Sequence, residues 1–200
     1  MVKPDNEERT VSTGSMYDTP DGVEQYAAMA EGYDGRAHIE ALRGVLAPGS
    51  TVLELGIGPG VDLDMLAQTF TVTGSDLSQA FLDRYANTRP GADLLRLDAI
   101  TIATDRRFDA IYSNKVLHHL TTDELRQSLE RQAAIIRPGG ILLHGLWAGT
   151  SADDHGGMHD QRYLPETLDD VVPATLKVVE CDFYQEMSID DSLRVVLRLV

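Results

Sequence analysis

Apolar residues recur every three or four positions along Val23, Tyr26, Ala27 and Ala30, and again along Ile39, Leu42, Val45 and Leu46. This spacing predicts two amphipathic helices near the N-terminus. Thr19 and Pro20 place a hydroxyl cap and a proline at the start of the first. Gly32 interrupts the pattern, and Pro48-Gly49 ends the second helix. Residues 1–15 are rich in Glu, Asp, Ser and Thr and lack an apolar run, so they read as a mobile tail and not as a secretory signal.

From residue 51 the texture changes. Short apolar runs at 51–55, 71–75, 93–97, 108–113 and 141–146 predict five strands. Helical segments at 61–68, 79–87 (capped by Ser78) and 125–136 alternate with them, the last behind a Thr121/Glu124 capping-box pattern and closed by Pro138-Gly139-Gly140. Leu164-Pro165 opens a short helix near 168–172, and β-rich runs at 175–183 and 192–200 follow. Strands alternating with helices imply a parallel sheet covered on both faces. The final adjacent pair implies an antiparallel hairpin at one edge. The expected fold class is therefore α/β, a doubly wound seven-stranded sheet, mostly parallel with an antiparallel C-terminal hairpin strand.

Composition narrows this picture. The 200 residues suit one α/β domain over residues 16–200, and 42% hydrophobic with 24% charged residues argues against wholesale disorder. No apolar run is long enough to span a bilayer, and the single cysteine, Cys181, excludes an internal disulfide and fits a cytoplasmic protein. Lys and Arg total 17 against 32 Asp and Glu, a net charge of −15 that repels phosphate backbones. The densest basic pair, Arg106-Arg107, is flanked by Asp105 and Asp109, so neither nucleic acid nor membrane is expected as a partner.

In a doubly wound sheet, ligands bind outside the carboxyl ends of the strands where the strand order reverses. The segment Glu54-Leu55-Gly56-Ile57-Gly58-Pro59-Gly60 occupies the turn after the first strand. Its glycines let backbone approach a ligand closely, and the next helix offers free N–H groups. The dinucleotide fingerprint G-x-G-x-x-G fits poorly: the third glycine arrives one residue early and Val61 takes the last position. Asp76 ends the second strand twenty residues after Gly56, where a carboxylate accepts from both hydroxyls of a ribose. The plainer role for Asp76 is an acid at the start of the next helix. Asp98-Ala99 closes the third strand in the same way, either toward an adenine amino group or as a solvated turn.

The order Val52-Leu-Glu-Leu-Gly-Ile-Gly-Pro-Gly60, Asp76, Asp98, residues 108–120 (FDAIYSNKVLHHL) and Arg137-Pro-Gly-Gly-Ile-Leu-Leu143 resembles the class I S-adenosylmethionine-dependent methyltransferases, most closely their small-molecule branch. The resemblance covers roughly residues 20–200 and implies a Rossmann-like fold. It implies that Gly56, Gly58 and Gly60 meet the methionine part of S-adenosylmethionine, with Glu54 fixing the loop and the ammonium side. It further implies Asp76 on the ribose, Leu77 against the adenine, Asp98 and Ala99 at the adenine's amino edge, and Ser113 and Asn114 beside the sulfonium. Residues 16–47 correspond to the family's N-terminal lid, with Tyr33 closing over the cofactor. The product would be S-adenosylhomocysteine and the acceptor a small molecule.

Methyl transfer needs a base only where the acceptor must lose a proton, and histidine suits that near neutral pH. His119 and His118, on the rim after the fourth strand, are the candidates, His119 first; structural histidines are the alternative. The polar stretch 147–163 follows the fifth strand and reads as a substrate-side loop. In it Arg162 could pair with a substrate carboxylate, while Trp147 and Tyr163 form an apolar wall. Asp153, Asp154, His155, His159 and Asp160 also lie there, but Gly156-Gly157 spoils helical ligand spacing and no metal is expected. Two rival functions remain: a nicotinamide-dependent oxidoreductase or epimerase, and a non-catalytic module that binds the cofactor.

Overall fold

The computed structural model describes residues 15–155 and 158–200. The tail expected over residues 1–15 lies outside this range except for Ser15, which begins a helix. The elements in chain order are α1 (Ser15–Asp18), α2 (Pro20–Met29), α3 (Arg36–Val45), β1 (Thr51–Leu55), α4 (Val61–Leu66), β2 (Thr71–Asp76), α5 (Gln79–Thr88), β3 (Leu94–Arg96) and β4 (Phe108–Asn114). A 3₁₀ turn (Leu117–His119) follows, then α6 (Thr122–Ile135), β5 (Ile136–Trp147), β6 (Ala152–His155), β7 (Met158–Gln161), α7 (Pro165–Leu168), β8 (Leu176–Tyr184) and β9 (Ser192–Leu199).

Caps read from the sequence form as hydrogen bonds. Thr19 accepts from the Gly22 N–H at 3.1 Å, Ser78 accepts from Phe81, and Thr121 and Glu124 close a reciprocal capping box on α6.

The main sheet has seven strands in the order β3-β2-β1-β4-β5-β9-β8. β3, β2, β1, β4 and β5 pair in parallel, and β9 runs antiparallel between β5 and β8. This is the expected Rossmann-like fold. Because helices cover both faces, the central strands are apolar on both sides. Leu53, Leu55 and Ile111 point into one core with α6, while Val52, Ala110 and Tyr112 point into another with Ile39, Leu42 and Leu66. A fully buried leucine or isoleucine stabilises such a core by about 1.5–3 kcal/mol. Strand order reverses between β1 and β4, which opens a crevice at their carboxyl ends.

One element departs from expectation. Much of the stretch 147–163, read as a loop, pairs as an antiparallel hairpin of β6 and β7, with Asp154 opposite His159. Its strands are polar on both sides, so no apolar alternation announces them. No helix is long and apolar enough to cross a membrane, and no cluster of three metal-ligating side chains occurs among the described residues.

Candidate active site

A cavity of about 670 Å³ occupies the crevice above the tips of β1, β2, β3 and β4. Its floor is the glycine-rich turn. Gly56 adopts φ +71°, and a Cβ there would lie 2.5 Å from Val116 Cγ2, so only glycine fits. The Gly56 and Ile57 N–H groups donate to Ser75 O at 2.8 and 2.9 Å, which moulds the turn against β2.

Asp76 is anchored by two backbone donors, Gly58 N–H at 3.0 Å and Ser78 N–H at 2.9 Å, one on each carboxylate oxygen. Burial nevertheless raises its pKa above the usual carboxylate range, against the lowering effect of these bonds. Glu54 is more enclosed, 3% exposed, and its Oε2 has no partner among the described residues. Burial first, then the carboxylates of Asp62, Asp76 and Asp64, holds its pKa well above the ordinary value. Asp98 turns its Oδ1 onto the Ile100 N–H at 2.7 Å, and Ala99 gives its carbonyl to Ser128 Oγ at 2.6 Å, tying the third strand's end to α6.

The sequence-derived candidates divide in two. Tyr33, Glu54, Gly56, Gly58, Asp76, Leu77, Asp98, Ala99, Asn114 and His119 all line the cavity. Gly60, Ser113, His118, Trp147, Arg162 and Tyr163 are not among its lining residues. Gly60, at φ +87°, caps α4 and packs on Tyr85, where a Cβ would lie 2.2 Å from the ring. Ser113 is fully buried and meets His144 Nδ1 at 2.8 Å. His118 is also buried, and burial drives its pKa well below the ordinary histidine value.

The expected substrate wall is built differently. Trp147 carries Lys115 on its ring face, Arg162 stacks at 5.8 Å from the same ring, and Tyr163 is buried beside the bridge between itself and Ala148. β5 continues through Trp147, which pairs with Ser192 of β9.

Other lining residues come from places the motifs do not mark. Tyr17 and Tyr26 pack edge-on at 5.1 Å and, with Phe81, wall one side under α1 and α2. Asp62 accepts from Gly35 N–H at 2.7 Å, Tyr112 OH at 2.6 Å and Asn114 Nδ2 at 3.2 Å. Its place in the first turn after the glycine loop is the signal that marks it. Lys115, at φ +56°, and Glu186, from the β8–β9 connection, complete the rim. Glu186 is half-buried, which raises its pKa.

The lining carries eight carboxylate residues against one lysine and no arginine. That lysine is committed elsewhere: Lys115 Nζ donates to Leu146 O at 3.0 Å and Ser192 Oγ at 2.6 Å and sits over Trp147. The lining is therefore rich in acidic side chains and short of free cations, which favours a cationic or neutral ligand over an anionic one.

Residues 52–140 match a family described as a methyltransferase domain. An uncharacterized methyltransferase of Mycobacterium tuberculosis is 30% identical over 139 residues, covering 62% of this chain and 70% of that protein. A tRNA (carboxymethyluridine(34)-5-O)-methyltransferase of Arabidopsis thaliana is 32% identical over 110 residues, 54% of this chain. The chain spans about a quarter of the length of that plant protein and of the related mammalian tRNA methyltransferases. Among solved structures, the Burkholderia thailandensis 1,6-didemethyltoxoflavin-N1-methyltransferase, with S-adenosylhomocysteine bound, superposes with a TM-score of 0.76. It is 19% identical, and the match covers 88% of this chain and 83% of that one, which shows the shared fold. With the glycine turn and Asp76 on one cavity at the strand switch, this chain belongs to the class I S-adenosylmethionine-dependent methyltransferases, whose methyl donor is S-adenosylmethionine.

Proposed function

We propose that the chain transfers a methyl group from S-adenosylmethionine to a small-molecule acceptor that is neutral or cationic. The observation that carries this reading is one cavity lined both by Asp76 and Asp98, where the nucleoside would sit, and by Asn114 and His119, where the acceptor would enter. When bound, S-adenosylmethionine supplies an electrophilic methyl group on a sulfonium, which is transferred by in-line displacement.

The residues suit that ligand. The buried, unpartnered Glu54 Oε2 and the carboxylate excess match a molecule bearing a sulfonium and an ammonium. Asp76 would hold the ribose, Leu77 and Ala99 the adenine faces, Asp98 its amino edge, and Tyr33 the lid side. Gly56 and Gly58 would face the methionine part, with Asn114 at the sulfonium. Orientation by such groups accounts for about 7–11 kcal/mol of barrier in well-aligned reactions.

The acceptor's charge follows from what is missing on the rim. Arg162, the residue expected to hold a substrate carboxylate, packs on Trp147 outside the lining, and Lys115 is tied to β5 and β9. A net charge of −15 and an acidic cavity also oppose a polynucleotide acceptor, although several relatives carry tRNA methyltransferase names. His119 is the group proposed to take the acceptor's proton. His118 is the buried neutral ring behind it, with ring centroids 3.9 Å apart.

Calorimetric titration with S-adenosylmethionine and with NAD, followed by transfer of label to a metabolite extract and to bulk tRNA, tests the reading. We expect S-adenosylmethionine to bind and label to enter small molecules. Binding of NAD alone, or label in tRNA alone, overturns it. Persistent absence of transfer with intact binding points to the non-catalytic module.

A further inference from the structure

His119 and the β6–β7 hairpin meet at the cavity. The ring of His119 lies on the 3₁₀ turn after β4, where its backbone N–H donates to Val116 O at 3.1 Å. Its Nδ1 is 2.8 Å from the backbone carbonyl of His159 on β7. A carbonyl only accepts, so the proton of a neutral ring must sit on Nδ1, and Nε2 is left as the lone-pair nitrogen. The tautomer thus follows from the partner's chemistry.

The hairpin is itself pinned at this residue. Asp154 stands opposite His159 across the two strands, and His159 Nδ1 donates to Asp154 Oδ1 at 2.9 Å. The His159 side chain is 23% exposed and the Asp154 side chain 81%, so the bond forms at the surface rim of the cavity that both residues line. The pair bridges the two strands at the residue whose carbonyl reaches His119. The His118 ring packs against it at 3.9 Å between centroids, and Lys115 and Glu124 line the same cavity.

We propose that the Asp154–His159 pair is a positioning device: it holds the His159 carbonyl on His119 Nδ1, keeping Nε2 free to accept the proton of the methyl acceptor. In that step the acceptor's X–H bond breaks, its electron pair stays on X, and the proton passes to Nε2. The resulting imidazolium keeps its Nδ1–H on the carbonyl. His119 acts on the substrate, and Asp154 and His159 act through it. The inference rests on the methyltransferase reading above.

The test needs no acceptor. Protein labelled with ¹⁵N-histidine is studied by two-bond ¹⁵N–¹H correlation at about pH 9, where an ordinary imidazole is neutral, with His119 assigned by the peaks lost in His119→Gln. The wild-type ring is expected to show the Nδ1–H form alone. Asp154→Ala and His159→Ala are expected to lose that exclusive signature and show both tautomers. Asp154 is mostly exposed and folding should survive its removal, with His159→Ala as the second variant. An Nε2–H ring in the wild type overturns the proposal, and so does an unchanged tautomer in both variants. Calorimetry with S-adenosylmethionine on the same samples separates the two readings. Normal binding with the wrong tautomer defeats only this inference, whereas absent binding in the wild type defeats the methyltransferase reading.

Discussion

Lys115 Nζ lies 3.5 Å from the centre of the Trp147 ring, the closest of the cation–aromatic contacts in this protein's described residues. Together with bonds to Leu146 O and Ser192 Oγ, the contact ties the end of β4 to β5 and β9. It also commits to packing the one lysine that lines the cavity. The site's charge is set by a residue that packs, not by one that waits for a ligand.

This packing has a pH signature. Burial, the largest cause, lowers the Lys115 pKa from 10.5 to about 8. Between these values the unfolded chain binds more protons than the folded one, so stability contributed by this group rises with pH. The charged form is disfavoured below about 8, and the penalty is relieved as the pH rises toward 10.5. Urea midpoints measured across that window should climb more steeply for the wild type than for Lys115→Met. Superimposable slopes would place the amine in free solvent.

Asp76→Ala should raise the dissociation constant for S-adenosylmethionine roughly tenfold or more, since hydrogen bonds to a charged group contribute about 1.5–3 kcal/mol. The same change frees the Gly58 and Ser78 N–H groups. Part of the loss therefore comes from the turn, and Asp76→Asn, which retains one acceptor oxygen, should lose less. Calorimetry on the three proteins gives the ranking, and equal affinities would remove Asp76 from the ribose.

The legible and illegible parts of the site separate by chain distance. Glu54, Gly56, Gly58 and Asp76 were readable because a strand, its turn and the next helix are contiguous, and local sequence carries the whole geometry. Glu186 reaches the same cavity from the β8–β9 connection, more than a hundred residues later, and no local pattern announces it. Trp147 and Arg162, expected on the substrate side, are not among the residues that line the cavity. Trp147 ends β5 opposite Ser192 of β9, and apolar runs fix strand ends only loosely. The β6–β7 pairing is illegible in sequence because strands with polar residues on both sides have no period to detect.

His144 lies in the sheet interior, with Nδ1 on Ser113 Oγ at 2.8 Å and Nε2 unpartnered among the described residues. Burial lowers its pKa from 6.5 to about 3, so the folded protein keeps it neutral while the unfolded chain protonates it. Stability from this group is present above the unfolded value and is lost as the pH falls below 6.5, at about 1.4 kcal/mol per pH unit at most. The raised carboxylates of Glu54 and Asp76 act in the opposite direction, so the comparison must be with a variant. His144→Gln should show a shallower loss of stability on acidification in urea melts. Parallel acid limbs for the two proteins would mean that the imidazole is not held neutral.

Glu54 sets affinity against stability. Its carboxylate is buried, lacks a partner on Oε2, and faces the like charges of Asp62, Asp76 and Asp64. Keeping it ionised near neutral pH opposes folding in the absence of a cationic ligand. Glu54→Gln removes that charge while preserving shape, so the ligand-free variant should melt higher than the wild type. The gain should shrink as the pH falls toward the ordinary carboxyl value of 4.5, where both folded and unfolded wild-type chains become protonated. The same variant should bind S-adenosylmethionine about tenfold more weakly, because a charged partner for its ammonium is gone. Thermal melts across this pH range, paired with calorimetry, decide the matter. A variant that melts lower and binds equally well would show that Glu54 braces the glycine turn and takes no part in holding the ligand.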